Sequence, residues 1–185
     1  MRTTILVCAV AAISWFTGCK VVDNFLVSIS LDPFTGTYDI TPGPNLNFSG
    51  QEAIDVQDLL DDSFENKLMD GRVVDIRVSV IGTYNGTVVG VGYIDGVPLL
   101  NFGSGSNGTS PVAWSAFATP QSLLGGSQYV HPQATGVAWL LRVLKNRPLG
   151  TVVLSANGAL AGQSPVPSGL QIKVEVFTQA DAEVN

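Results

Sequence analysis

Eight carboxylates crowd 24 positions of this sequence: Glu52, Asp55, Asp58, Asp61, Asp62, Glu65, Asp70 and Asp75, out of 15 in the whole chain. Two chemistries suit such a run. Hard cations such as Ca²⁺ gather about six to eight oxygen ligands, and Asp55, Asp58, Asp61 and Asp62 are the most closely spaced donors. A pair of carboxyl groups can also cleave a glycoside, one acting as acid and the other as base or nucleophile. Against both, the spacing does not follow an Asp-x-Asp-x-Asp-Gly loop, and apolar Ile54, Val56, Leu59 and Leu60 are interleaved. The plainer expectation is a solvated face of a strand-to-helix segment. No catalytic residue is assigned and no cofactor is required; Ca²⁺ is the one ion for which donors exist.

His131 is the only histidine, so any Ser-His-acid arrangement would have to use it. No serine lies in Gly-x-Ser-x-Gly. His131 directly precedes Pro132 at a helix start, which suggests a loop or capping role. The two cysteines are Cys8, inside an apolar run, and Cys19. One histidine and two cysteines are few groups from which to build a zinc site. Rings that stack on sugars are also few. Trp114 and Trp139 are expected in the core, so a platform would need Tyr84, Tyr93 or Tyr129 at the surface. The Asn-Gly-Thr triplets at 85 and 107 match a glycosylation acceptor but are read as turns.

These groups need elements to carry them. Hydrophobic residues make up 45% of the chain and charged residues 13%, a balance that suits one well-buried domain. The formal charge is −6. That sign makes nucleic acid a poor partner and excludes simple electrostatic adhesion to anionic lipid. Past residue 24 the dominant signal is alternation, the period of half-buried strands. Phe25, Val27, Ile29 and Leu31 share a face; so do Val74, Ile76, Val78 and Val80, and Leu170, Ile172, Val174 and Val176. Such two-faced strands belong to antiparallel sheets with one face wet.

Thr87–Ile94 and Val97–Phe102 flank Asp95-Gly96, a tight-hairpin signal, with Pro98 near a strand start. Asn85-Gly86 supplies a similar turn before it, so residues 72–103 read as a three-strand meander. Further strands are expected at 112–118 and 151–161. Val137, Leu140, Leu141 and Leu144 fall at helical spacing and predict an amphipathic helix over 134–146, with Pro132 in its first turn and Pro148 as its stop. Asp58–Met69 is a second helical segment. The expected architecture is an antiparallel β-sandwich with one docked helix.

The N-terminus differs from the rest. Arg2 is followed by Ile5–Phe16, 12 uncharged and almost wholly apolar residues. That length cannot span roughly 30 Å of hydrocarbon as a helix, but it fits the core of a secretory signal. Phe16-Thr17-Gly18-Cys19 then resembles the lipobox of bacterial lipoproteins, with Phe16 where that family usually has leucine. The resemblance covers this segment alone. It implies that residues 1–18 are a signal peptide cut by signal peptidase II. Residues 19–24 are then a lipidated N-terminus and short tether, with acyl chains such as palmitate on Cys19, and residues 25–185 form a single domain.

Without Arg2 the chain from Cys19 holds 8 Lys and Arg against 15 Asp and Glu, a net −7. It then has no second cysteine for an intramolecular disulfide. Lys20, where an Asp would mark inner-membrane retention, leans towards the outer membrane, on its periplasmic or surface face. The expected function is a lipid-anchored, non-catalytic binding or structural module of the cell envelope. Its partners would be the membrane and another envelope protein or a glycan. The alternative is an anchored, glycan-acting hydrolase using carboxylates of the 52–75 segment.

Overall fold

Successive side chains of a strand point to opposite faces, so alternation commits one face to burial before any partner is chosen. The computed structural model describes residues 25–59, 68–104, 111–145 and 150–184. In it the alternating sets are strands. They run β1 (Phe25–Ser30), β2 (Phe34–Asp39), β3 (Asn47–Asp55), β4 (Leu68–Ile81), β5 (Gly86–Ile94), β6 (Val97–Phe102), β7 (Val112–Ala113), β8 (Gln121–Ser122), β9 (Val130–Pro132), β10 (Thr151–Gly162) and β11 (Gln171–Val184). Among the described residues there is one α-helix, α1, spanning Ala134–Lys145.

Two antiparallel sheets form. In the first, β11 lies between β4, which β8 extends, and an edge made in turn by β1 and β2. The second runs β3-β10-β5-β6-β9, with β7 beside β5. The sheets close face to face. Ile172, Val174 and Val176 of β11 and Ile76 and Val78 of β4 meet Val152, Leu154, Val88 and Ile94 of the second sheet in one core. This is the β-sandwich with one helix that the alternation predicts.

The Asp95-Gly96 hairpin forms as expected, with both residues at positive φ (49° and 77°) in a two-residue primed turn. The pairing then slips: Tyr93 faces Pro98 and Gly92 faces Leu100, leaving Leu99 as a bulge. Consecutive Leu99 and Leu100 are both buried as a result.

Register defines two poles. Phe25 lies opposite Val184, Leu68 opposite Ala182, and Asp55 opposite Thr151; this is the N-terminal pole. Asp39 and Ile81 lie opposite Gln171, and Gly86 opposite Gly162; this is the far pole. Helix α1 packs on β4, β6 and β5 towards the N-terminal pole, with Leu140 and Leu144 buried beneath it. A Cβ on Gly136 would fall 2.3 Å from the Pro98 carbonyl oxygen, so the helix rests on bare β6 backbone there. Among the described residues no helix is long and apolar enough to cross a membrane.

Several local expectations change. The 72–103 meander does not exist, because β4 joins the first sheet and β5 the second. Asn85-Gly86 is part of a crossover and not a hairpin. Tyr84 turns inward there, 4% exposed, with its ring edge-on to Trp114 at 5.9 Å. Burying that aromatic pair outweighs the local turn preference. The 112–118 strand is only β7, followed by a 3-10 turn at Trp114–Phe117 that buries both aromatic ends. Only a 3-10 turn, Gln57–Leu59, stands at the start of the 58–69 helical segment, and Leu68 and Met69 already belong to β4; residues 60–67 lie outside the described set. Pro132 ends β9 instead of starting α1, and Pro148 lies outside the described residues.

Candidate functional site

The described acids of the 52–75 segment do not converge. Glu52, on the open edge of β3, accepts the Thr37 amide of β2 at 3.0 Å, closing the seam between the two sheets. Asp55 accepts the Gln57 amide at 3.0 Å, and Asp58 is exposed. Asp70 is paired with Lys145 at 2.7 Å, and this contact, with the Gly71 amide, lowers its carboxyl pKa. Asp61, Asp62 and Glu65 lie outside the described residues, as does Cys19. Among the described residues no group of three or more His, Cys, Asp or Glu is placed to hold a metal ion. Thermal unfolding curves of the chain in millimolar Ca²⁺ and in chelator are expected to superimpose. A calcium-dependent rise in midpoint that vanishes in Asp58→Asn or Asp61→Asn would instead make the segment a site.

Asp75 departs from the solvated-face expectation. It lies on the outer side of the first sheet, yet it is 2% exposed, because the Gln121–Ser127 loop folds over it. Ser122 Oγ donates to both carboxylate oxygens at 2.9 Å, the Leu124 amide donates to Oδ1 at 2.9 Å, and Arg77 Nε pairs with Oδ2 at 2.7 Å. Burial acts to raise this carboxyl, but the Leu124 amide, Arg77 and Ser122 together outweigh it and hold the pKa below the ordinary value. Ser122 Oγ also accepts the Gly125 amide. Every group is therefore satisfied, which is the chemistry of a latch rather than of a nucleophile.

His131 is on edge strand β9 opposite Asn101, not in a loop or helix cap, and its Nε2 lies 3.3 Å from the Ser104 carbonyl. The pairing of β9 with β6 carries it there, which the neighbouring proline concealed. Trp114 is core, as expected, and its Nε1 donates to the Gly82 carbonyl at 3.0 Å. Trp139 is half-buried beside the core, donating to Asp95 Oδ2 at 2.9 Å under the Arg142 guanidinium. Tyr84 is buried and Tyr93 and Tyr129 are half-buried, so these rings make no open sugar-stacking platform.

What the fold does assemble is the far pole, where three stretches meet: 40–46, 82–86 and 162–170. Gly43 and Val166 exchange backbone hydrogen bonds at 3.1 and 2.7 Å. The Gln163 amide donates to the Asn85 carbonyl at 3.2 Å, and the Tyr84 hydroxyl to the Gln163 carbonyl at 3.0 Å. Burial raises the Tyr84 pKa and keeps that donor neutral. Pro42, Pro44, Pro165 and Pro167 restrict the backbone further. The three stretches contain no Asp, Glu, Lys or Arg. Thr41, Asn45, Thr83, Asn85, Gln163 and Ser168 are exposed there, offering only hydroxyls and amides. Most fixed charges lie elsewhere, with Asp55, Asp58, Asp70, Arg72, Lys145 and Asp181 near the N-terminal pole; the exception is exposed Asp39 at the rim of the far pole, whose Oδ1 accepts Gln171 Nε2 at 2.7 Å. The sequence signal was available as charge-free, Pro- and Gly-rich runs; their meeting in space was not.

No protein-family model matches the chain, and no curated protein matches it. Among solved structures, it is similar to a chain of turnip yellow mosaic virus, at 12% identity and TM-score 0.30, covering 87% of this chain and 95% of that one. It is similar also to a chain of desmodium yellow mottle tymovirus, at 8% identity and TM-score 0.30, covering 100% and 98%. For tobacco necrosis virus the identity is 12% and the TM-score 0.31, covering 100% and 90%. Likenesses this loose carry no functional argument.

Proposed function

We propose that this chain is a lipid-anchored protein of the cell envelope, held by acyl chains on Cys19. Its sandwich would act as a non-catalytic binding module whose far pole meets another envelope protein or a glycan. The observation that carries this reading is the polarity of the molecule. Phe25 enters at one end, while the uncharged, cross-braced loops stand at the other. A tether of residues 19–24 reaches at most about 20 Å, which holds the N-terminal pole near the bilayer. Strand β10, 12 residues long, puts the far pole about 40 Å farther out. Neutral hydroxyls and amides on a pre-ordered surface suit hydrogen-bonded contact with an uncharged partner, at little ordering cost. The hydrolase alternative has less support, because Glu52, Asp55, Asp70 and Asp75 each serve a separate structural bond and the described acids do not converge.

Acyl chains contribute about 0.8 kcal/mol per buried methylene, so losing them is decisive for anchoring. Cys19→Ser is expected to abolish palmitate labelling and to move the protein out of the membrane fraction or leave it unprocessed. Wild-type fractionation with a normally cleaved N-terminus would sink the anchor. In the same cells, a photo-crosslinker at Thr83 is expected to form adducts with an envelope component and one at Asp58 is not; the reverse pattern would sink the far-pole reading.

A further inference from the structure

A sheet edge carries a row of backbone N–H and C=O groups with no partner strand, and folds shorten, break or charge such edges to keep other chains off. Most of the described edges follow that rule. Strand β8 has two residues and β9 three, the last of them Pro132. Strands β1 and β2 share one side of β11, and Leu31–Pro33 interrupts the row between them. On β2 the outward amide of Thr37 is already taken by Glu52. Strand β3 departs from the rule. It runs nine residues in unbroken register against β10, without proline, lysine or arginine.

That register fixes which groups are open. The Val56 amide donates to the Gly150 carbonyl at 3.3 Å, and the Leu160 amide to the Leu46 carbonyl at 2.7 Å. Even-numbered residues here therefore bond to β10, and the odd-numbered ones face the other way. Ser49, Gln51 and Ala53 accordingly point their N–H and C=O groups outward, and all three residues are exposed. Among the described residues no strand pairs with that side of β3. Glu52 leaves the row clear, because its carboxylate reaches across the seam to Thr37.

We propose that the open edge of β3 receives an extended, basic segment of another polypeptide, which joins the second sheet as a further strand. The backbone selects a strand. Donors and acceptors at Ser49, Gln51 and Ala53 recur about every 7 Å, two residues of strand rise, which is the spacing of a second peptide backbone. A glycan or an acyl chain has no amide row to set against it. Charge selects the sign. The only charged residues of β3 are the acids Glu52 and Asp55, and neighbouring β10 carries no charge to balance them. A second copy, with a net −6, would bring its own Glu52 and Asp55 to the same edge, whereas lysine or arginine is attracted there. The edge runs along the side of the sandwich between the poles, so it depends on neither the anchor nor the far-pole reading.

Amide hydrogen exchange tests this, read by NMR on the full chain in detergent. The probe is a Lys-Thr-Val-Thr-Val-Thr-Lys peptide with both ends blocked. At saturation the Ser49, Gln51 and Ala53 amides are expected to exchange at least about tenfold more slowly, with no change in the Gln121–Ser127 loop. The same peptide with glutamate at both ends should bind at least about tenfold more weakly, and added salt should narrow the difference. Gln51→Pro removes an N–H that no ladder bond uses, so it should abolish protection with little change in thermal midpoint, while Gln51→Ala keeps it. Should the proline variant not fold, the probe N-methylated at every Thr and Val makes the same test on wild type and should protect nothing. The proposal is overturned if the basic peptide protects none of the three amides at millimolar concentration, or if the glutamate or N-methylated peptide does as well. Equal loss in Gln51→Ala and Gln51→Pro would also overturn it, since the contact would then be to a side chain. So would a dimer of the chain alone that Gln51→Pro abolishes, because a second copy would then occupy the edge.

Discussion

Leu140→Ala is expected to lower stability by about 2–5 kcal/mol, through lost burial plus the cavity left behind. Leu140 is fully buried and Leu144 is 1% exposed, so the docked stripe of α1 has no solvent route by which to relax. Gly136→Val should be at least as costly, for the opposite reason. Its Cβ would meet the Pro98 oxygen at 2.3 Å and the Leu99 Cα at 2.5 Å, and both are backbone atoms that a rotamer change cannot move. The helix would have to lift, and Leu140 and Leu144 would lift with it. Ala138→Val, on the exposed side of the same helix, controls for β-branching and should cost under about 1 kcal/mol. Chemical denaturation of the three variants decides the matter. If Gly136→Val and Ala138→Val behave alike, the helix does not rest on β6.

The second large effect is expected at Asp75. Asp75→Ala leaves the Ser122 hydroxyl, the Leu124 amide and the Arg77 guanidinium without their shared acceptor. Breaking a buried pair costs about 3–5 kcal/mol; Arg77, whose side chain is 42% exposed, can still reach water, which puts the expected loss near about 3 kcal/mol. Hydrogen exchange at the Leu124 amide should accelerate in this variant while amides of β11 stay protected. The latch also has a pH signature. Its folded-state pKa lies below the ordinary carboxylate value of about 3.9, so its stabilisation is present above that value and is lost as pH falls through the lowered one. Wild type should therefore converge on Asp75→Asn in stability as the solution is acidified below about pH 4. A constant gap between the two down to the acid transition would show that Asp75 is not held as a carboxylate.

Much of the architecture was legible because it depends on neighbours two to four residues apart. Alternation in 76–80 and 170–176 marks an apolar face whichever strand pairs with it, whereas a bulge at Val74 puts Val73 against the core in its place. The 137–144 stripe marks α1 to within a residue or two, and Asp95-Gly96 marks its turn because only positive φ at both positions closes it. Charge-free runs at 40–46 and 162–170 were equally visible as composition. These features are local, and a local pattern states which side of an element is apolar.

Which elements meet is a different question, and only the tertiary structure answers it. Strand β11 serves β4, β1 and β2 together, so β4 had a better partner than its neighbour β5, and the chain crosses sheets at Gly82–Gly86 instead of turning back. Asp75 sits on a polar face by pattern, yet is buried by a loop whose Leu124 lies 49 residues away. Gly136 is an ordinary weak helix residue until the β6 backbone comes against it. The pairing of Gly90 with Gly158 needs strands 68 positions apart to lie in register. Each depends on long-range register and on which hydrophobic faces find one another, information that is spread over the whole chain and written in no single stretch of it.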